Sequence, residues 1–148
     1  MKKDPRSLFD VNFLIALLDK SHVHHPRAVE WFAQNASRGW ASCPITQNGC
    51  VRIMSNHRYQ NPTSVQDVVY RLSKATTTYG HEFWSDSISL FEPALVDWEK
   101  AVSRRSSTDA YLLALAVKND GCLVTFNQGI NVRFVVGAET ENLAVVRP

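Results

Sequence analysis

The stretch STDAYLLALAVKNDGCLVTFN, residues 107–127, decides the fold prediction. It predicts a helix with Thr108 as its N-cap and Gly121 in the left-handed position that follows a helix C-terminus. Most residues between them are apolar, which is typical of a central, covered helix. The apolar run 122–126 then predicts a short strand that is buried on both faces.

Asp109 is an acidic residue in the predicted first turn of this apolar helix. A buried carboxylate without a partner is unfavourable, although the dipole and the unpaired N–H groups of a first turn offset part of that cost. Two interpretations therefore stay open: Asp109 caps the helix, or it is a ligand of a metal ion.

The rest of the chain alternates between short apolar runs and helical patterns. Strands are predicted at 7–9, 40–43, 81–84 and 143–146. Helical patterns begin at Asn12, Pro26, Thr46 and Ser64, and one more helical face is formed by Leu95, Val96, Trp98 and Val102. Strands that alternate with helices predict an α/β fold, with a parallel sheet covered on both faces.

Polar residues follow two of these strands. Asp10 comes directly after the first strand, and Asn127 comes after the strand that follows the central helix. Sites in such sheets form beyond the carboxyl ends of the strands. Asp10, Asn127 and Asp109 are therefore expected to meet at one edge of the sheet.

The composition limits the class of protein. A length of 148 residues fits one domain, 1–148, and a net charge of +2 permits an anionic partner without requiring one. The three cysteines are widely spaced without a C-x-x-C pair, which disfavours a disulfide framework and a structural zinc site. Neither a signal-peptide pattern nor a long apolar span is present, so no membrane association and a cytoplasmic location are expected.

Three segments resemble the most recognisable parts of PIN domains: LFDVNFLI at 8–15, TDAYL at 108–112 and LVTFNQG at 123–129. Their order and spacing agree too, so the resemblance covers nearly the whole chain. Within that superfamily the chain resembles VapC-type toxins, the ribonucleases of bacterial toxin–antitoxin pairs. TQNGCVRI at 46–53 and FWSD at 83–86 are similar to segments of one VapC subgroup. The resemblance implies a three-layer α/β/α sandwich with a central parallel sheet of four to five strands.

The resemblance also implies an acidic cluster that binds Mg²⁺ or Mn²⁺ and cleaves RNA. Asp10 and Asp109 match two acids of that cluster and are the predicted metal ligands. Gln47 and Asn127 stand where two further acids are usual, and amides bring oxygen ligands without negative charge. The residues with predicted supporting roles are Asn12, Thr46 and Thr125.

Contacts to RNA need other side chains. Arginine matches phosphate geometry, and the candidates are Arg52, Arg58, Arg104 and Arg105, each of which is more simply an exposed surface charge. Three aromatic residues could stack on bases, although aromatics at such spacings more often belong to the core: Trp40, Tyr59 and Trp84. The loop histidines are expected to be exposed rather than metal ligands: His22, His24 and His25.

Two functions from different classes remain. The first is a metal-dependent endoribonuclease toxin, with an RNA substrate (tRNA is one candidate), an antitoxin partner and the homodimeric state that the resemblance implies. The alternative is a catalytically degenerate or inactivated PIN domain that binds RNA or a protein without cleavage, which Gln47 and Asn127 keep open. A small-molecule α/β hydrolase is disfavoured, because the chain has no G-x-S-x-G, P-loop or G-x-G-x-x-G motif.

Overall fold

A five-stranded sheet forms the centre of the protein in a computed structural model, which describes residues 4–78, 80–92, 95–100 and 104–148 without the side chains of Arg105 and Ser106. The strands are β1 (Ser7–Phe9), β2 (Trp40–Ser42), β3 (His81–Phe83), β4 (Cys122–Thr125) and β5 (Leu143–Val145). Their order in the sheet is β3-β2-β1-β4-β5, and every pairing is parallel. The predicted parallel sheet of four to five strands is confirmed.

Helices cover the sheet. They are α1 (Val11–Leu18), α2 (His25–Asn35), α3 (Pro44–Met54), α4 (Val65–Thr76) and α5 (Arg104–Lys118). Short 3₁₀ turns occur at Ala36–Arg38, Val132–Phe134 and Thr140–Asn142. Within the described ranges, no helix is long and apolar enough to cross a lipid bilayer.

Alternation along the strands divides the core into two layers. Leu8, Ala41 and Leu123 belong to a cluster with the buried face of α5. The neighbouring residues on the same strands, such as Phe9 and Val124, belong to a second cluster with α1, α3 and α4. Successive strand residues point to opposite faces, so both faces of the sheet are covered and the three-layer α/β/α architecture is confirmed.

The central helix begins earlier than the sequence predicted. α5 starts at Arg104, so Thr108 is not its N-cap and Asp109 does not lie in its first turn. Serine and arginine are tolerated on exposed helix surfaces, and the Ser107 hydroxyl donates a hydrogen bond to the Arg104 carbonyl within the helix. The interpretation that Asp109 caps the N-terminus of this helix is therefore wrong.

The end of α5 also differs from the prediction. Asp120, with φ of 53°, takes the left-handed position, and the Gly121 N–H donates to the Ala116 carbonyl at 2.7 Å. Gly121 is needed for space instead, because a Cβ there would lie 2.4 Å from the Trp84 ring.

The helix predicted from Leu95, Val96, Trp98 and Val102 is wrong for the residues that the structure describes. Residues 95–100 form turns, and Val96 makes an antiparallel bridge with Val135. The Asp97 N–H donates to the Phe134 carbonyl, and the Val136 N–H donates to the Leu95 carbonyl. Backbone groups that a helix would use are thus bonded to a distant segment. Val102 lies outside the described residues.

Candidate active site

The carboxyl ends of β1 and β4 place two polar side chains next to each other. Phe9 pairs with Val124 in the sheet, so the residues that follow them, Asp10 and Thr125, are neighbours. Both point to the α5 side, because Leu8 and Leu123, two residues earlier, pack in the α5 cluster. The topology thus brings together residues that are 115 positions apart.

Asp10 is buried, with 6% of its surface exposed. Its Oδ1 accepts a hydrogen bond from the Phe13 N–H at 2.8 Å and thereby caps α1, and its Oδ2 accepts one from the Thr125 hydroxyl at 2.5 Å. Burial raises the pKa of Asp10 to about 6, because desolvation outweighs both hydrogen bonds, and the negative charge of Asp109 acts in the same direction.

Asn127 connects this pair to α5. Its backbone N–H donates to Thr125 Oγ1 at 2.9 Å, and its Nδ2 donates to Asp109 Oδ2 at 2.9 Å. Its own Oδ1 accepts from the Gly129 N–H, which fixes the amide. A continuous chain of hydrogen bonds therefore runs from Asp10 through Thr125 and Asn127 to Asp109. We call these four residues the acidic network.

Gln47 takes part in a different network. Its Nε2 donates to Ser42 Oγ at 3.0 Å, and Ser42 Oγ lies 2.8 Å from His81 Nε2. Ser42 faces the layer opposite to α5, since its neighbour Ala41 packs in the α5 cluster. Burial lowers the pKa of His81, and the charge of Arg6 adds to that effect. Gln47, Ser42 and His81 form what we call the neutral network.

The predicted supporting residues differ in their surroundings. The Thr46 hydroxyl accepts from the Cys43 N–H and donates to the Cys43 carbonyl, so it caps α3. Asn12 is exposed in the first turn of α1. Arg52, Arg58 and Arg104 are exposed, and the side chain of Arg105 lies outside the described part of the chain.

Two of the aromatic candidates for base stacking belong to the core. Trp40 and Trp84 are each only 4% exposed. The third, Tyr59, is half-buried and donates from its hydroxyl to Asp19 at 2.5 Å. These positions leave little ring surface for a base.

The expectation that the loop histidines are exposed is wrong. All three are partly buried: His22, His24 and His25. His24 packs on Phe126 with a ring-centroid distance of 5.2 Å, and His25 Nδ1 lies 2.6 Å from the Ala16 carbonyl oxygen. These contacts order the loop around the end of α1.

A further acid, Asp86, was not assigned a role from the sequence. It follows β3 by three residues, so the rule that selected Asp10 and Asn127 also points to it. It contacts the thiol of Cys43, the residue that follows β2. Extending the register of β1 and β2 by two residues beyond the Leu8–Ala41 pair makes Cys43 a neighbour of Asp10. Asp86 therefore lies near the acidic network, on the same face of the sheet.

A cleft of about 960 Å³ lies at the amino ends of the strands. Its lining includes Arg6, Gly39, Gly80 and Asp120, which precede β1, β2, β3 and β4. It is therefore separate from the carboxyl edge that carries the acidic network.

The acidic network has the donor chemistry for a hard divalent cation. Within the described residues, no group of three or more His, Cys, Asp and Glu side chains is arranged to hold an ion. Any ion here would thus depend on the Asp10 and Asp109 carboxylates, with amide and water oxygens completing its shell. Mg²⁺ is usually held by one or two carboxylates and keeps several waters, so the residues fit this ion.

The relatives found by comparison with known proteins share one name, ribonuclease VapC. No family model matches the chain. Ribonuclease VapC44 of Mycobacterium tuberculosis is 49% identical over 141 residues, which cover 95% of this chain and 99% of the relative. Ribonuclease VapC39 of the same organism is 42% identical over 125 residues (84% and 90%), and ribonuclease VapC38 is 40% identical over 125 residues (84% and 86%).

Proposed function

This chain belongs to the VapC family of PIN-domain ribonucleases, and from that premise we propose that it is the RNA-cleaving toxin of a toxin–antitoxin pair. One observation carries the proposal. Two carboxylates from distant parts of the chain, Asp10 and Asp109, are linked through Thr125 and Asn127 at the carboxyl edge of the sheet. This edge is where parallel α/β proteins form their sites.

Asp10 and Asp109 would hold Mg²⁺ or Mn²⁺. Such an ion, when bound, neutralises phosphate charge and lowers the pKa of a coordinated water. The protein must present Asp10 as a carboxylate for this purpose. Because burial raises the pKa of Asp10 to about 6, protons compete with the cation below that pH, and activity is expected to fall there.

Thr125 and Asn127 act as positioning residues. The Thr125 hydroxyl fixes one oxygen of Asp10, and the Asn127 amide fixes one oxygen of Asp109. A carboxylate oxygen accepts more than one bond, so these two hydrogen bonds do not by themselves prevent either carboxylate from binding an ion. Asn12 is exposed two residues after Asp10 and would donate to a phosphate oxygen or to a water.

Arginines would hold the RNA backbone. Arg52, Arg58 and Arg104 are exposed, and guanidinium groups bind phosphate through paired hydrogen bonds. Arg104 begins α5, the helix that also carries Asp109, so it lies on the same element as the site. Arg105, whose backbone is helical, belongs to the same group of candidates.

The partners and location follow from this function. An antitoxin would inhibit the site by placing an arginine against Asp10 and Asp109. The positive charge of the guanidinium group would replace that of the cation, and its N–H groups would donate paired hydrogen bonds to the carboxylates. A second copy of the chain would cover the exposed apolar side of α4, where Val65, Val69 and Tyr70 are 49%, 48% and 60% exposed. RNA inside the cell is the substrate, so a cytoplasmic location is part of the proposal.

A degenerate PIN domain is the second candidate. The observation in its favour is Gln47, whose amide bonds to Ser42 in the neutral network. If a family acid is required at position 47, this chain binds RNA or a partner without cleaving it.

The test is cleavage of total RNA and tRNA with Mg²⁺ or Mn²⁺, with chelator, and with Asp109→Asn. We expect cleavage with the metal, and loss of cleavage with chelator and in the variant. Asp67→Asn is the matched control, because it removes one acidic charge from the exposed surface of α4. Cleavage that survives chelator and Asp109→Asn would refute the proposed site, and binding of RNA without cleavage would favour the degenerate domain.

A further inference from the structure

A cleft of about 380 Å³ opens between the segment after β3 and the first turns of α5. Its apolar wall is formed by Ile45, Leu90 and Phe91, and its polar groups come from Asp86, Thr108 and Tyr111. We call these six residues the side cleft. A concave apolar surface with a few convergent polar groups is the usual form of a ligand site.

The side cleft adjoins the acidic network. Thr108 directly precedes Asp109 on α5. At the other end, Asp86 contacts the thiol of Cys43, which is the register neighbour of Asp10. A polymer whose phosphate lies at Asp10 and Asp109 would therefore place an adjoining nucleotide at this cleft.

Phe91 gives the cleft a flat aromatic surface. Its side chain is 90% exposed, although an exposed phenyl ring is unfavourable in water. Two hydrogen bonds close the turn that carries it: the Glu92 N–H donates to the Ser89 carbonyl at 3.2 Å, and the Phe91 N–H donates to Ser89 Oγ at 3.1 Å. Exposed aromatic rings next to a nucleic-acid site are stacking surfaces for unpaired bases.

Asp86 decides what kind of group the cleft accepts. A carboxylate repels phosphate and accepts hydrogen bonds from N–H groups. Partial burial raises the pKa of Asp86, and a hydrogen bond from the Cys43 thiol acts in the opposite direction. The Tyr111 side chain is 7% exposed. Burial raises the pKa of Tyr111, and the negative charge of Asp86 acts in the same direction, which places the Tyr111 hydroxyl near this carboxylate.

The four RNA bases differ in what they offer to a carboxylate. The Watson–Crick edge of guanine presents two adjacent donors, N1–H and the 2-amino group, which match the two oxygens. Adenine and cytosine each place a ring-nitrogen acceptor beside their amino group, and uracil has carbonyl oxygens on both sides of its N–H. A carboxylate therefore favours guanine and disfavours the other three.

We propose that the side cleft binds a guanine next to the scissile phosphate, with the base stacked on Phe91 and its N1–H and 2-amino groups donating to Asp86. The proposal rests on the nuclease function inferred above. It assigns a base preference to residues outside the acidic network.

The experiment is cleavage of a randomised RNA pool with Mn²⁺, followed by sequencing of the ends. We expect guanine to be enriched at one position beside the cut. Inosine keeps N1–H and lacks the 2-amino group, so its substitution at that position should lower kcat/KM by about 10- to 100-fold, the value of a hydrogen bond to a charged acceptor. Asp86→Asn should remove this difference between guanosine and inosine.

Phe91 is tested by a pair of variants. Phe91→Ala should lower cleavage of all substrates by about 5- to 100-fold, the range of base stacking, and Phe91→Tyr should keep the wild-type rate. Asp67→Asn again controls for the loss of one surface charge. Thermal unfolding of each variant separates loss of the cleft from loss of the fold.

The outcomes separate this proposal from the nuclease function. Cleavage without guanine preference, or with a preference that Asp86→Asn leaves intact, would overturn the side-cleft assignment alone. If no RNA is cleaved, binding of GMP and IMP measured by calorimetry still tests the cleft: GMP should bind at least about tenfold more tightly, and Asp86→Asn should abolish the difference. If the variants break a complex with a co-expressed partner and leave base preference unchanged, the cleft is a protein-docking site and the proposal is wrong.

Discussion

The acidic network lies at the carboxyl ends of β1 and β4. The neutral network joins α3 to the last residue of β2 and the first residue of β3, on the opposite face of the sheet. The acidic network joins two carboxylates through a hydroxyl and an amide, and the neutral network joins an amide, a hydroxyl and an imidazole. The difference comes from alternation along the strands, because Asp10 stands two residues after Leu8 on the α5 side, whereas Ser42 is next to Ala41 and points away from it.

The largest expected difference between the networks is catalytic. Asp10→Asn should lower RNA cleavage by on the order of 10²–10³-fold, since it removes one of two charges that stabilise the site. Gln47→Ala should change the rate by less than about threefold, because the described hydrogen bond of Gln47 leads to Ser42. Single-turnover cleavage of end-labelled RNA measures both. Equal losses would show that Gln47 joins the acidic network during the reaction.

The two networks should also respond to pH with opposite signs. The pKa of Asp10 is raised from 3.8 to about 6. The stability that its protonated form contributes is therefore fully present below about pH 4 and is lost as pH rises through 6, in all about 3 kcal/mol. The pKa of His81 is lowered from 6.5 by burial. The stability that its neutral form contributes is therefore present above pH 6.5 and is lost as pH falls through the lowered pKa of the folded state.

Urea unfolding between pH 4 and 8 checks this prediction. The free energy of unfolding of Asp10→Asn minus that of the wild type should increase as pH rises from 4 through 6. The reason is that the variant has no carboxyl group to ionise at position 10. Added Mn²⁺ should stabilise the wild type at pH 7 and leave Asp10→Asn unchanged. Parallel pH profiles for the two proteins would contradict the raised pKa.

The hydroxyls of the two networks should differ in their contribution to stability. Thr125→Val removes a fully buried donor to a carboxylate and should cost about 2–3 kcal/mol at pH 7. Ser42→Ala removes a hydroxyl among neutral partners and should cost about 1 kcal/mol. The Thr125→Val effect should shrink at pH 5, where Asp10 is protonated. Denaturation at both pH values distinguishes the charged bond from a simple packing loss.

The smallest effects concern the two amides. Asn127→Asp replaces an N–H···O bond of 2.9 Å with two carboxylates in contact, so it should cost about 1 kcal/mol without metal and tighten Mn²⁺ binding about tenfold. Gln47→Glu alone should change Mn²⁺ binding by less than about twofold, since it places its charge in the neutral network. Calorimetry with each variant measures this. A large gain from Gln47→Glu would place that residue at the ion.

The sequence predicted what depends on patterns along the chain. Strand and helix alternation gave the parallel sheet, and the positions of Asp10 and Asn127 after strands placed them at its carboxyl edge. Contacts between distant segments were not predictable in this way. The early start of α5 and the turns at 95–100 depend on tertiary hydrogen bonds and on exposure, which override local preferences.

The site shows the same division. Gln47 was grouped with Asp10 through the family resemblance, because it stands where an acid is usual, yet its hydrogen bond leads to Ser42. The resemblance gives the position of a residue along the chain and not the hydrogen bonds of its side chain. Gly121 looked like a helix terminator, although the reason for glycine there is the nearby Trp84 ring. Asp86 was missed because the similarity of its segment, 83–86, to a VapC subgroup assigned no function to any residue there. It nevertheless follows a strand, as Asp10 does.

The pairing of β1 with β4 has a consequence for when the proposed toxin becomes active. Translation proceeds from the N-terminus, so Asp10 is synthesised 115 residues before Thr125, its hydrogen-bond donor. Until β4 is made, Asp10 lacks Thr125, and the loop that carries Asn127 does not exist. The order of β1 and β4 along the chain thus leaves the proposed site incomplete until β4 has been synthesised.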